Sequence, residues 1–174
     1  GNLGGQVSRD EAANYLSEYF KQYAGLARFV ERTKISAERL GYTETLFGRR
    51  RYFSGFDSSL PGVRAQAERM AVNAPIQGTQ ADIIKLAMVK ADALIEKNGW
   101  RRDAALVMQV HDELVYEVDE KKAGTIARAI REAMEEAAPT ERLSGVPFVA
   151  EASVGPNWGS TKNVGRERKT ENGG

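Results

Sequence analysis

Two adjacent carboxylates, Asp112 and Glu113, stand in the run Gln109-Val110-His111-Asp112-Glu113-Leu114, inside an alternating apolar stretch from Leu106 to Val118. The alternation reads as two short strands with the acidic residues at the bend between them. Such a bend projects side chains beyond the sheet, where a carboxylate is either a solvated turn residue or a cation ligand. Mg²⁺ takes oxygen ligands, commonly one or two carboxylates completed by water and substrate phosphates, and this bend offers that donor type. Neighbours in a strand point to opposite sides, so Asp112 is the expected principal ligand and Glu113 its acidic neighbour. The apolar flanks are expected to tie the bend to a core. His111, the single histidine of the chain, is either structural or a donor to a phosphate or sugar oxygen.

A second constellation lies upstream, in Arg69…Asn73-Ala74-Pro75-Ile76-Gln77-Gly78-Thr79. Arg69, Asn73 and Gln77 are spaced by four, which aligns side chains on one helical face. Pro75 suits a first helical turn and implies a break before it. One reading is helix capping by Asn73 with Gln77 on the surface. The other is a row of hydrogen-bond donors facing a nucleic-acid minor groove. The acceptor pattern there is degenerate, so donors check the shape of a pair while ignoring its sequence. Arg49-Arg50-Arg51, beside Tyr52 and Phe53, is the dense basic cluster of the folded region. It is either a basic surface loop or a phosphate contact.

These groups need elements to hold them. Ser8 and Glu11 form a capping box, opening a helix to about Tyr23 that buries Ala12, Tyr15, Leu16, Tyr19 and Phe20. A second helix, about 25–40, buries Leu26, Phe29, Val30 and Ile35 and ends at Gly41. Strand character follows at 42–46 and 51–53, with Gly48 at the bend. After a polar loop come a short helix, about 62–72, and a longer one from Pro75 to about Asn98-Gly99, with Ile76, Ile83, Ile84, Ala87, Met88, Ala91, Leu94 and Ile95 on its apolar stripe. The acidic hairpin takes about 105–118. A helix of about 119–138 turns Ile126, Ile130 and Met134 inward, and 148–154 is a last strand. Trp100 and Trp158 read as packing residues, and the chain from Asn163 on as disordered. Helices separated by hairpins, without βαβ alternation, define an α+β fold: a small antiparallel sheet with helices packed on one face.

Bulk properties narrow the classes. The 174 residues make one domain, or one and a fraction. Hydrophobic residues are 41% and charged residues 28%, ordinary for a packed soluble chain. The 25 basic and 24 acidic residues give a net charge of +1, which argues against a simple polycation but leaves a local patch open. The chain has no cysteine, which removes disulfide frameworks and thiolate metal sites. One histidine is too few for a His-rich cluster or a two-histidine metalloprotease helix. These residues show no signal-peptide pattern and no apolar run of membrane-spanning length.

The segments Gly48-Arg49-Arg50-Arg51-Tyr52, Glu68-Arg69-Met70-Ala71-Val72-Asn73-Ala74-Pro75-Ile76-Gln77-Gly78-Thr79-Gln80-Ala81-Asp82 and Gln109-Val110-His111-Asp112-Glu113-Leu114 occur in this order. In order and spacing they resemble the C-terminal part of family A DNA polymerases, the bacterial DNA polymerase I type, over nearly the whole chain to about Trp158. The resemblance implies the remaining part of a fingers subdomain at 1–57 and a palm at 58–162; the tail at 163–174, read as disordered from its composition, departs from the family's usual ending. It implies template-directed addition of deoxynucleotides to a primer 3′ end by two-metal nucleotidyl transfer, with Mg²⁺ (or Mn²⁺). Asp112 resembles the family's second metal-binding aspartate, and Glu113 the acidic residue beside it. His111 resembles a histidine near the primer terminus. Arg69, Asn73 and Gln77 resemble residues touching template and primer near the nascent pair.

The implied partners are primer-template DNA and a deoxynucleoside triphosphate, in a cytoplasmic, bacterial or phage-like nucleoid setting without a membrane. One departure matters. The family's other catalytic aspartate, in an Asp-Tyr-Ser-Gln-Ile-Glu type motif, and its triphosphate-gripping helix have no counterpart in these residues. The chain is therefore expected to need an N-terminal part, or another chain, that supplies both. A metal-dependent nuclease built on Asp112 and Glu113 would need further clustered carboxylates, and Glu44, Asp57, Asp82 and Asp92 show no such grouping.

Overall fold

Ser8 opens the chain's first helix as its residue pattern requires. Its Oγ accepts the Glu11 N–H at 3.2 Å, and the Glu11 carboxylate accepts the Ser8 N–H at 2.8 Å. The structure is a computed structural model, and it describes residues 7–139, 141 and 143–165. The element order is α1 (Arg9–Gln22), α2 (Ala24–Leu40), β1 (Tyr42–Glu44), β2 (Arg50–Tyr52), α3 (Pro61–Lys97), β3 (Ala104–Val110), β4 (Glu113–Val118), α4 (Ala123–Glu135), β5 (Ser153–Val154), a 3₁₀ turn (Trp158–Ser160) and β6 (Lys162–Asn163). Helices and short antiparallel strands make this the α+β fold expected. The strands form three separate two-stranded ladders, β1–β2, β3–β4 and β5–β6. The chain forms two compact units, whose boundary falls within α3 between Gly78 and Thr79.

In the first unit, α2 ends as expected at Gly41, whose φ of 76° is the left-handed conformation that glycine adopts freely. Strand β1 follows at once, with Tyr42 opposite Tyr52 and Glu44 opposite Arg50. The core is Ala37, Phe56, Ala67 and Ala71, with Phe53 packed against it. Three of these four buried residues are alanines. Lys34 and Arg64 bridge to Glu68, and Arg64 also reaches Glu38. Lys34 beside it is the first cause holding the Glu68 carboxyl below its ordinary range.

The apolar stripe of α1 is not buried. Tyr15, Leu16 and Tyr19 are exposed, as are Leu26 and Ile35 of α2. Periodicity marks a face that prefers burial, but burial needs a partner: α1 contacts α2 and carries ring contacts of Tyr19 with Phe20 and Tyr23, and its apolar stripe is left largely open.

The expected break at Pro75 does not occur. Pro61–Lys97 is one helix with Pro75 inside it. Interior proline removes one N–H and crowds the preceding turn, which kinks a helix as readily as it ends one. Here Ala67, Ala71 and Ala74 are buried on one side of that turn, and their packing favours continuation. Ile76, expected inside, is exposed, whereas Ile83, Ile84, Ala87, Ala91 and Ile95 are buried as expected.

In the second unit the core is Ala91, Ile95, Ala104, Ile126 and Ile130, ringed by Leu94, Trp100, Tyr116, Val118 and Met134. Helix α4 starts at Ala123 rather than Asp119, because the Asp119 carboxylate accepts the Lys121 N–H at 3.0 Å and holds a turn there. The strand expected at 148–154 shrinks to Ser153–Val154. The Ala150 N–H donates to the Glu135 carboxylate of α4 at 3.0 Å, away from any ladder. Trp158 is exposed and is not a packing residue.

Order runs past the expected start of the tail. Asn163 pairs with Ser153, the Val164 N–H donates to the Ala152 carbonyl at 2.8 Å, and the buried Arg131 guanidinium donates to the Gly165 carbonyl at 2.8 Å. The rest of the expected tail, 166–174, lies outside the described residues, as do residues 1–6.

Candidate nucleotidyl-transfer and nucleic-acid site

The hairpin β3–β4 carries the carboxylates. Val110 pairs with Glu113, so His111 and Asp112 alone make the two-residue turn and Glu113 is the first residue of β4. His111 has a φ of 52°. Two-residue hairpin loops need positive φ to match the strand twist, and glycine usually supplies it at the first position. Histidine there is strained, as residues at working sites often are. The Gln109 side-chain amide donates to the His111 carbonyl at 2.6 Å and holds the turn. A register shift between Leu106 and Met108 leaves Val107 as a bulge, which bends the hairpin short of its tip.

His111, Asp112 and Glu113 are all exposed. The expected tie from the flanking strands to a core holds only at the far end, through Ala104, Tyr116 and Val118. Leu106, Val107 and Met108 are exposed. Burial, and secondarily Asp92, pushes the Tyr116 hydroxyl up to about 12, so Tyr116 is a neutral packing residue at the base of the hairpin.

Asp112 at the turn and Glu113 beside it fit a hard divalent cation that takes one or two carboxylates and completes its shell from water and phosphate. Among the described residues no group of three His, Cys, Asp or Glu side chains is placed to hold a metal. Asp112 and Glu113 would by themselves supply only part of such an ion's ligand shell.

Arg69, Asn73 and Gln77 lie on α3 in the first unit, and all three are exposed. Because α3 runs unbroken through Pro75, their four-residue spacing keeps them on one face, and Asn73 caps no helix. The arginine cluster divides. Arg49 donates to the Gly78 carbonyl at 2.9 Å. Arg50 donates to Glu44 at 2.7 Å and lies over the Tyr42 ring at 4.5 Å. Its hydrogen bond with Glu44 is the first cause raising its already high pKa. Arg51 lies over Phe53 at 5.6 Å. Sequence reasoning missed the contact of Arg49 with Gly78. The signal was the glycine itself, placed within a helix where alanine would serve better.

The acidic hairpin turn belongs to the second unit, and Arg69, Asn73 and Gln77 to the first. The chain matches the model of DNA polymerase family A over residues 2–160 and belongs to that family. It is 45% identical over 152 residues to DNA polymerase I of Pseudomonas aeruginosa, covering 87% of this chain and 16% of that protein. It is 41% identical over 156 residues to the thermostable DNA polymerase I of Thermus aquaticus, covering 90% of this chain and 18% of that protein. The POL domain of Pol1 from M. smegmatis, solved with DNA primer-template and dNTP, aligns with a TM-score of 0.71 at 42% identity. That alignment covers 77% of this chain and 23% of the other. The chain thus spans less than a fifth of these curated relatives.

Proposed function

We propose that the chain is the palm-bearing part of a template-directed DNA polymerase, with late fingers at 8–57 and palm at 58–162. The primer 3′-hydroxyl attacks the α-phosphate of a deoxynucleoside triphosphate, and pyrophosphate leaves. Asp112, and secondarily Glu113, would hold Mg²⁺ (or Mn²⁺). A divalent ion bound there supplies stabilisation of charge developing on the phosphoryl oxygens. His111 donates to a phosphate or sugar oxygen near the primer end. Arg69, Asn73 and Gln77 donate to groove acceptors, which fixes pair geometry without reading sequence. Arg50 and Arg51 add positive charge for phosphates. The setting is the bacterial cytoplasm.

The observation that carries this reading is the placement of Asp112 at a two-residue turn held by Gln109, in a chain of this family. The test uses a chimera in which residues 8–162 replace the matching segment of the Thermus aquaticus enzyme. Asp112→Ala should lower single-turnover incorporation by on the order of 10³-fold, equivalent to several kcal/mol of transition-state stabilisation. Duplex affinity should hold, because phosphate contacts elsewhere carry it. Unchanged incorporation removes Asp112 from the reaction.

A second reading is a DNA-binding part that is catalytically incomplete until another polypeptide segment adds carboxylates and a triphosphate-binding helix. What favours it is that no group of three metal-ligating side chains occurs among the described residues. Template-dependent extension by the pure 174-residue chain with Mg²⁺ would exclude it.

A further inference from the structure

Helix α3 is weak at the turn that carries Gln77. Pro75 has no N–H for the Ala71 carbonyl, and Gly78 three residues on is the residue that loses most freedom in a helix. The β1–β2 connection packs against that turn. The Thr45 Oγ1 accepts the N–H groups of Phe47 and Arg49, both at 3.2 Å, and Gly48 has a φ of 82°. From this turn the Arg49 Nη2 donates to the Gly78 carbonyl at 2.9 Å, across 29 residues of sequence. The fit depends on glycine. A Cβ on Gly78 would lie 2.6 Å from the Thr45 Cγ2 and 3.3 Å from the Arg49 Nη2.

We propose that Arg49 is a positioning residue that clamps the weak turn of α3 and so sets the direction of Gln77, rather than a phosphate contact. The proposal rests on the reading of Gln77 as a groove donor. Its physical content is separable from that reading. Arginine supplies a rigid fork with donors at fixed spacing. A helix lacking one backbone hydrogen bond gains order from an external donor on a neighbouring carbonyl. Glycine leaves room for the Thr45 methyl, so removing the fork and filling the room should have the same consequence.

The 174-residue chain itself provides the test. Hydrogen exchange of the amides of residues 76–82 should accelerate by about tenfold or more in Arg49→Ala, reporting local opening. Gly78→Ala should accelerate the same amides although it keeps the arginine charge. The Thr45→Ser exchange, which keeps Oγ1 and deletes Cγ2, should restore protection in the Gly78→Ala background. Loss of affinity for a primer-template duplex in Arg49→Ala should leave the slope of log Kd against log salt unchanged, and should not add to the loss in Gln77→Ala. A slope reduced by about one would make Arg49 a phosphate contact and overturn the proposal. Unchanged exchange in both single variants overturns it as well. Should Gln77→Ala leave incorporation by the chimera unchanged, the groove-donor reading fails, and the exchange rates still decide the clamp.

Discussion

The Gln109 side-chain amide donates to the carbonyl of His111 two residues on, at 2.6 Å, across the head of the β3–β4 hairpin. This contact holds a histidine at a φ of 52°, beside the carboxylate on which the proposed chemistry depends. It joins a strain to its restraint.

Gln109→Ala should therefore loosen the turn without unfolding the hairpin. In the chimera, incorporation should fall about tenfold, since small misplacement of a reacting group is costly. Duplex affinity should change little. Backbone NMR relaxation at His111 and Asp112 would show the added motion directly. An unchanged rate with a rigid turn would mean that the contact is ornamental.

His111→Gly should stabilise the chain by about 1 kcal/mol, the order of the left-handed penalty that glycine avoids. A shift of the urea midpoint at constant slope is the measurement. The same substitution should lower incorporation if His111 donates near the primer end, separating its backbone strain from its side-chain role.

Asn73→Ala and Gln77→Ala should each slow incorporation by a similar factor for all four templating bases, because the minor-groove acceptor pattern is degenerate. Each donor is worth on the order of 1–3 kcal/mol when its partner is left unpaired. A loss that follows one templating base would mean these residues read sequence.

Ile126 is fully buried, at 0% exposure, whereas Ile35 is 57% exposed. Ile126→Ala should cost about 2–5 kcal/mol and Ile35→Ala well under 1 kcal/mol. Chemical denaturation of the two variants tests the placement of the second core.

The Arg101 guanidinium grips Asp92 with two hydrogen bonds, one of 2.8 Å, and holds its carboxyl below the ordinary range. A depressed folded-state pKa contributes stability above the unfolded value, ordinarily near 3.8, which is lost as pH falls through the folded value. Melting temperature should thus fall less steeply below about pH 4 in Asp92→Asn than in the parent. The pair is solvent-exposed, so the difference should be small.

How much of this was legible in the chain depended on the range of the interaction. The Ser8–Glu11 capping box, the Gly41 stop and the hairpin bend, expected at Asp112–Glu113 and found one residue earlier at His111–Asp112, all rest on contacts a few residues apart, and local residue chemistry fixes them. The α3 stripe from Ile83 to Ile95 was legible because its period is strong. Continuity through Pro75 was not, since it depends on small buried alanines that give a weak periodic signal. Exposure of Tyr15, Leu16 and Val107 was also illegible, because an apolar pattern says what a face prefers and not what lies against it. Among site residues, the shared helical face of Arg69, Asn73 and Gln77 could be read from their spacing. The diversion of Arg49 to Gly78 joins positions 29 apart and needed the fold.

The family match ends at residue 160, yet the structure continues through β6 and the hold of Arg131 on Gly165. This bears on where the gene can safely be cut for expression. A stop codon placed at the family boundary would delete one strand of the β5–β6 ladder. It would also remove the Gly165 carbonyl that accepts from Nη1 of a guanidinium only 8% exposed, whose Nε has no hydrogen-bond partner among the described residues. Leaving a buried cationic donor unsatisfied costs upwards of about 1–3 kcal/mol. A recombinant version trimmed by alignment alone should be poorer in yield and more prone to proteolysis than one reaching Gly165. An affinity tag is therefore better fused beyond that glycine.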